Sequence, residues 1–478
     1  MTPASSPLHR HFAFWGLMLL VAWAPLPLGS NRPWSAALLT GLAGLLLLGL
    51  AAGNLHSGRR PAVDWRRLRL PLLLAGFTLA WAVVQWSTWT PAAWHHPIWQ
   101  QASTALGMPL KGRITVNPDA TLAALMNLGG YLAIFWVALE TARDRRRAAL
   151  ALNIFVGIGA AYAAYGLAAF FAGNETILFM RKWDYFDALT ATFVNRNSYA
   201  TYAGLGLLCA VGLLIDEARN LAPRGGGHRP FASRPNRAVF LRLLPLLAAS
   251  LLIGTALVLT GSRAGVAGTA AALLALPALA MLGGRGGRLR HAVIAVPVLA
   301  ALLAILLFAG NPLMERFEKD PLATDRLPAF ALSLRAVEDA PWLGTGYGAF
   351  HETFASHRDL SVSSPSSWKK AHNTYLENML GLGVPAALSL NLAILLVAAS
   401  ALRAIPSRRR SRIFPMLAVA ATVLVGLHAL VDFSLEIPAI AATYAFIMGV
   451  GAAQTFRSDQ IVWPEELPDV SARSSITA

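Results

Sequence analysis

A single cysteine, Cys209, stands in 478 residues, and it falls inside a long apolar run. No intrachain disulfide or multi-cysteine metal site can be built from it, so it reads as a small core residue. Charge is scarce as well: Asp, Glu, Lys and Arg make up 13 % of the chain, 56 % is apolar, and mean hydropathy is +0.52. Those proportions exclude an ordinary soluble globular domain. No fixed-period repeat is visible, which excludes a solenoid. A phosphate-binding loop is also missing. Gly344-Thr345-Gly346-Tyr347-Gly348 has the glycines, but no buried strand precedes it and no Lys-Ser/Thr follows, so it reads as a tight turn.

What the chain does contain is apolar runs long enough to cross about 30 Å of hydrocarbon as helices. They fall near 12–28, 34–53, 70–88, 119–140, 147–172, 198–217, 240–260, 264–283, 291–309, 374–402, 413–432 and 437–455. The expectation is an all-α polytopic membrane protein, a single domain over 1–478 with about twelve transmembrane helices. Arg10 ahead of the first run imitates a signal peptide, but Ala24-Pro25-Leu26-Pro27-Leu28-Gly29 offers no clean cleavage site, so the run is read as a retained helix.

Orientation follows from basic residues, which are retained on the cytoplasmic side of short loops. With the N-terminus inside, inner segments hold 26 Lys and Arg and outer segments 14, half of the latter in the long loop 310–372. Long translocated loops escape the rule, so both termini, including the tail 456–478, are placed in the cytoplasm and the long loop in the periplasm. The net charge of +16 and pI near 10.8 raise the question of nucleic acid. The clusters Arg143–Arg147 and Arg408–Arg412 are short caps between spans rather than an extended basic face, so no nucleic-acid partner is expected; membrane lipid headgroups are. Gly225-Gly226-Gly227 and the Gly283–Gly287 stretch read as linkers.

Outer polar length concentrates near 89–118, 173–197 and 310–372. In the last, Leu327, Phe330, Leu334 and Val337 recur at helical spacing between Asp325 and Asp339, which suits an amphipathic helix on the membrane or over a cavity. Three polar motifs lie on this side. The first is Thr192-Phe193-Val194-Asn195-Arg196-Asn197-Ser198-Tyr199, where Asn197 or Ser198 suits a helix cap and leaves Arg196 at the positive helix end. The second is the turn Thr260-Gly261-Ser262-Arg263-Ala264-Gly265; so short a loop leaves the Arg263 guanidinium either snorkelling to headgroups or pointing into a cavity. Either way phosphate suits it, through paired hydrogen bonds and a permanent charge.

The third motif is Lys369-Lys370-Ala371-His372-Asn373-Thr374-Tyr375-Leu376-Glu377, at the start of the tenth run. An ionisable group at a membrane edge is a functional hypothesis by default, and neutral imidazole is the commonest general base. Lys369 and Lys370 join Arg196 and Arg263 as candidate cations around it. Asp432 and Glu436, in the turn before the last run, suit either orienting His372 or an Arg, or capping helices.

These motifs, in this order on such a scaffold, resemble the O-antigen ligase and O-antigen polymerase superfamily, with Trp342–Phe350 and His372–Pro385 as further matching pieces and Arg326 at a recurrent family position. The resemblance implies an inner-membrane glycosyltransferase that moves a glycan from a polyprenyl (undecaprenyl) pyrophosphate to an acceptor sugar hydroxyl at the periplasmic face. It makes His372 the base and Arg196, Arg263 and Arg326 the pyrophosphate ligands, with Asn195, Asn197, Ser262, Asn373, Tyr375, Glu377, Lys369, Lys370 and Asp432 in support. It implies no nucleotide sugar, cofactor or metal. The residues agree: a leaving pyrophosphate builds negative charge that preorganised cations stabilise, and no outer Asp-x-Asp pair occurs, Glu318-Lys319-Asp320 being a surface charge run.

The acceptor stays open between lipid A core, for a ligase, a lipid-linked repeat in O-antigen or exopolysaccharide assembly, for a polymerase, and a protein side chain, the polymerase preferred. The competing class is a polytopic transporter of a polysaccharide precursor or small solute. Its site would sit near mid-membrane between repeated halves, whereas here no halves repeat and the notable polar groups collect at span ends.

Overall fold

The computed structural model describes residues 8–58, 61–221, 237–282, 321–362, 368–408 and 411–456. The chain is all-α and polytopic. The principal helices are α1 (Leu8–Trp23), α2 (Pro33–His56), α3 (Arg69–Trp86), α4 (Ile98–Leu106), α5 (Pro118–Thr141), α6 (Arg145–Phe171), α7 (Arg196–Leu221), α8 (Arg237–Leu259), α9 (Arg263–Met281), α10 (Pro321–Asp339), α11 (Phe350–His357), α12 (Thr374–Leu382), α13 (Val384–Ala404), α14 (Ile413–His428) and α15 (Pro438–Ala453). Among the described residues eight helices are long and apolar enough to cross a membrane, and α14 and α15 are shorter apolar helices. The expected run at 291–309, the linker glycines, Glu318–Asp320 and the tail beyond Phe456 lie outside the described residues.

Helix α7 is the post of the bundle. The whole of its apolar window is buried in protein, while the other long spans keep half or more of theirs open to the surroundings. It packs on α6, α8, α9 and α14, and α15 fills the gap between α5 and α14. Aromatic rings lock the centre: Phe155 sits edge-on to Tyr202 at 5.9 Å and to Phe446 at 6.0 Å. Cys209 is fully buried in α7.

At the end of the bundle where α5 finishes and α6 begins, arginines close helix ends. Arg143 donates to the Ala453 carbonyl at 2.6 Å and Arg408 to the Thr455 carbonyl at 2.6 Å, cations on the C-terminal carbonyls of α15 and the turn after it. Arg145 pairs with Asp216 at 2.7 Å, and buried Arg10 with Glu140 at 3.6 Å.

The tenth apolar run is not one helix. It breaks at Gly383 into α12 and α13, with Gly383 at φ +78 and ψ 156, a conformation open almost only to glycine. The turn Gly344–Gly348 seats in this break. Gly346 donates to the Gly381 carbonyl at 2.9 Å and Thr345 to the Leu380 carbonyl at 3.0 Å, and a Cβ on Gly344 would lie 2.3 Å from the Gly381 oxygen. Gln85 of α3 ties the two together, donating to Leu343 and Gly381 carbonyls at 2.6 and 2.8 Å and accepting from the Tyr347 amide at 3.1 Å.

Helix α10 begins earlier than its sequence pattern and packs on a different face. Ala329, Leu332, Ser333 and Ala336 are buried against Phe350, Phe354 and Trp368, whereas Leu327 and Leu334 are exposed; of the expected stripe Val337 is buried. Small residues permit close approach to α11 and α12, which turns the two bulky leucines outward.

Candidate active site

The site is assembled where α7, α10 and α12 begin and α14 ends. Helix α7 starts at Arg196 and is capped by Asn195, whose side-chain oxygen accepts from the Asn197 and Ser198 amides at 2.7 and 3.3 Å. The cap therefore falls before the two residues the sequence suggested, because it is Asn195 that reaches the free amides of the first turn. The Arg196 guanidinium lies 5.4 Å over the Tyr185 ring, and Asn197 is freed to donate to Asp432 at 3.2 Å.

His372 sits in the left-handed region at φ +51, just ahead of α12. Asn373 caps that helix through the Leu376 amide at 3.1 Å and donates to the Leu430 carbonyl at 3.0 Å. The Thr374 amide donates to the Ala429 carbonyl at 2.9 Å and the Tyr375 hydroxyl to Gly426 at 3.0 Å. The open C-terminal carbonyls of α14 thus receive the His372 segment as donors, satisfying groups every helix end leaves unpaired.

The imidazole is held edge-on between Trp368, 5.3 Å away, and Phe433, 4.7 Å away. Its Nδ1 lies 3.8 Å from Asp432 Oδ1, within ion-pair reach and beyond hydrogen-bond length, and that nitrogen is buried without a hydrogen-bond partner. Asp432 is fully buried and also accepts from the Ser434 hydroxyl. Burial pushes its carboxyl up, but His372, His428 and Ser434 more than offset this and hold it below the usual range, so it is ionised at neutral pH.

Arg196, Asn197, Arg326 and His372 line a cavity of about 310 Å³ together with Asp184, Tyr185, Phe186 and Asp187. Arg326 donates to the Val431 carbonyl at 3.3 Å, and its Nε is buried without a hydrogen bond. Two guanidiniums and an imidazole therefore meet in one polar chamber at the end of the bundle. Such a chamber suits a dianionic group beside a proton acceptor. Arg263 starts α9, where Ser262 caps through the Gly265 amide at 3.3 Å, and does not itself line this cavity. Gly265 lets α9 meet α7: a Cβ there would lie 2.6 Å from that of Ala200.

Lys369 is exposed, and Lys370 turns away from the cavity toward Glu377, at 2.8 Å, and Glu436, at 3.5 Å. Burial and the proximity of Glu377 raise Glu436 to about 7, while burial's opposite pull on Lys370 is outweighed by the two carboxylates, which raise it. Beyond this pair opens a larger cavity of about 810 Å³ running between α2, α3, α5, α13, α14 and α15, lined by residues such as Leu72, Leu79, Phe135, Ile394 and Met448.

The Asp184–Asp187 stretch was not singled out from sequence. Its signal was available in the polar run Trp183-Asp184-Tyr185-Phe186-Asp187 within an outer loop. His428, buried and bonded to Thr201 at 2.7 Å behind Asp432, had none, since a lone His in an apolar run is ordinary core. Among the described residues no group of three metal-ligating side chains is assembled.

Residues 248–391, which include Arg263, Arg326, Lys370, His372 and Glu377, match the family model described as O-antigen ligase. Over that segment the chain is similar to the O-antigen ligase family. No curated protein matches the chain. The match supports a membrane glycan-transferring function of the O-antigen ligase and polymerase type. Arg196 and Asp432 lie outside the matched segment and reach its histidine only through the fold.

Proposed function

We propose that this protein transfers a glycan from an undecaprenyl pyrophosphate donor to a sugar hydroxyl at the periplasmic face of the bacterial inner membrane, in O-antigen or exopolysaccharide assembly. The observation that carries the reading is the convergence of Arg196, Arg326 and His372 on one cavity. With Nδ1 turned to Asp432, Nε2 of His372 is the nitrogen left to take the acceptor proton. The freed oxygen attacks the anomeric carbon, the bond to the pyrophosphate oxygen breaks, and the departing lipid pyrophosphate carries the charge that the guanidiniums neutralise without a metal. Asp432 stabilises the imidazolium formed. Arg263, one helix away, adds positive field to the donor's approach.

The donor's hydrocarbon chain suits the 810 Å³ cavity, whose apolar walls begin at Thr374 and Tyr375, beside the His372 segment. A direct displacement of this kind inverts the anomeric configuration. The test is purified protein in nanodiscs with an undecaprenyl-pyrophosphate oligosaccharide and candidate sugar acceptors, comparing wild type with His372→Ala and Arg326→Ala. Transfer at the wild-type rate by His372→Ala, or a product that keeps the donor's anomeric configuration, overturns this mechanism.

A further inference from the structure

The segment that carries His372 has two faces with different surroundings. The imidazole faces the polar cavity, while Lys370, two residues earlier, reaches the opposite side, where its side chain is 30 % accessible and lines the apolar cavity. There its ammonium is shared by Glu377 Oε1, 2.8 Å away, and Glu436 Oε2, 3.5 Å away. The second oxygen of Glu377 accepts the Ala371 amide at 3.0 Å. One nearly buried carboxylate therefore grips both residues that precede His372.

Two consequences follow from that grip. A residue with a Cβ holds φ near +51 only when its surroundings impose it, and the grip on Lys370 and Ala371 fixes the chain on one side of His372 while Asn373 and Thr374 are fixed on the other. Glu436 lies in the 3-10 turn Ser434–Glu436, directly after Asp432 and Phe433, the two residues that touch the imidazole from this side. The Lys370 to Glu436 bridge thus fixes the histidine's segment against the turn that orients its ring. A cation already shared by two carboxylates has little left for a pyrophosphate, which those carboxylates would repel.

We propose that Lys370, Glu377 and Glu436 form an ionic clasp that positions His372, and that Lys370 is a positioning residue rather than a ligand of the donor's phosphates. This rests on the reading of His372 as the base. Removing one member of a buried ion pair strands the other, so the informative variant is the double Lys370→Met/Glu377→Gln, which removes the closer pair, keeps an oxygen for the Ala371 amide and leaves Glu436, whose protonated form burial already favours, to take up a proton. Lys370→Arg retains the charge.

Three quantities separate positioning from binding: kcat and KM with the undecaprenyl-pyrophosphate oligosaccharide, affinity for undecaprenyl pyrophosphate alone by tryptophan fluorescence, and the rate of His372 modification by diethyl pyrocarbonate read by mass spectrometry. The double variant is expected to lose about 10- to 100-fold in kcat, to bind undecaprenyl pyrophosphate within about twofold of wild type, and to modify at His372 severalfold faster. Lys370→Arg is expected to recover most of the kcat. Lost undecaprenyl pyrophosphate affinity with kcat retained overturns the proposal and makes Lys370 a phosphate ligand. Unchanged kcat and unchanged modification also overturn it. If His372→Ala transfers normally, the base reading falls, and the modification rate, which needs no turnover, decides the clasp alone: an unchanged rate overturns it, a faster one upholds it.

Discussion

Replacing Gln85 with leucine is expected to destabilise the whole glycan-transfer end of the molecule, although Gln85 touches no residue of the polar cavity. The side chain is fully buried in α3 and makes three hydrogen bonds to backbone groups: the Leu343 and Gly381 carbonyls and the Tyr347 amide. Leucine has nearly the same volume, so packing is conserved and the loss is polar. The Gly381 carbonyl keeps its bond from the Gly346 amide, so two buried backbone groups are left unsatisfied at about 1–3 kcal/mol each, which gives about 2 kcal/mol as the lower end. At about 2 °C per kcal/mol, the lower end of the scaling for larger domains, the expected fall in Tm is about 4 °C or more. Thermal unfolding in detergent, followed by tryptophan fluorescence, measures it. The Gly344–Gly348 turn and the Gly383 break lean on this residue, and α12 hangs from that break with the Asn373 cap and His372 at its start. Transfer should fall in the folded fraction too. A Tm within about 1 °C of wild type refutes the reasoning, because it would mean the two backbone groups find other partners at no cost.

Arg326→Ala should weaken undecaprenyl pyrophosphate binding by about tenfold or more, since a charge-assisted bond is worth about 1.5–3 kcal/mol, and Arg326→Lys should recover only part; fluorescence titration reads both. Asp432→Asn preserves an acceptor for Ser434 but removes the charge beside the imidazole, so transfer should drop by about 100-fold or more while donor binding holds, as single-turnover assays would report. Glu436 is a carboxyl raised in the folded state, so its contribution favours folding at low pH and is lost as pH climbs from its ordinary 4.5 through about 7. Tm should therefore decline across that window, and Glu436→Gln should flatten the decline.

Hydropathy made the all-α polytopic architecture readable, because burial in lipid is a property of composition over about 20 residues. The break at Gly383 was not readable in the same way: the apolar run continues straight through it, and hydropathy carries no information about φ. Arg196 and His372 were visible as polar interruptions at span ends and Arg326 only through the family resemblance, and the fold brings the three to one chamber. The direction of Lys370 was hidden. Two residues before a histidine, it reads as part of the same positive site, yet it lines the apolar cavity while the imidazole lines the polar one. Likewise the amphipathic stripe of α10 was read from its bulkiest residues, while close contact with α11 and α12 selected the alanines and serine instead.

Arg196 stands on the helix whose apolar window is wholly enclosed by other helices. A bilayer that is thicker or thinner than the protein's own apolar span acts on the helices it touches, tilting them or stretching their ends. Helix α7 meets none of that force directly. The proposed phosphate cradle is thus anchored to the part of the molecule least sensitive to membrane thickness, and its geometry should survive the shifts in lipid chain length that a bacterium makes as growth temperature changes.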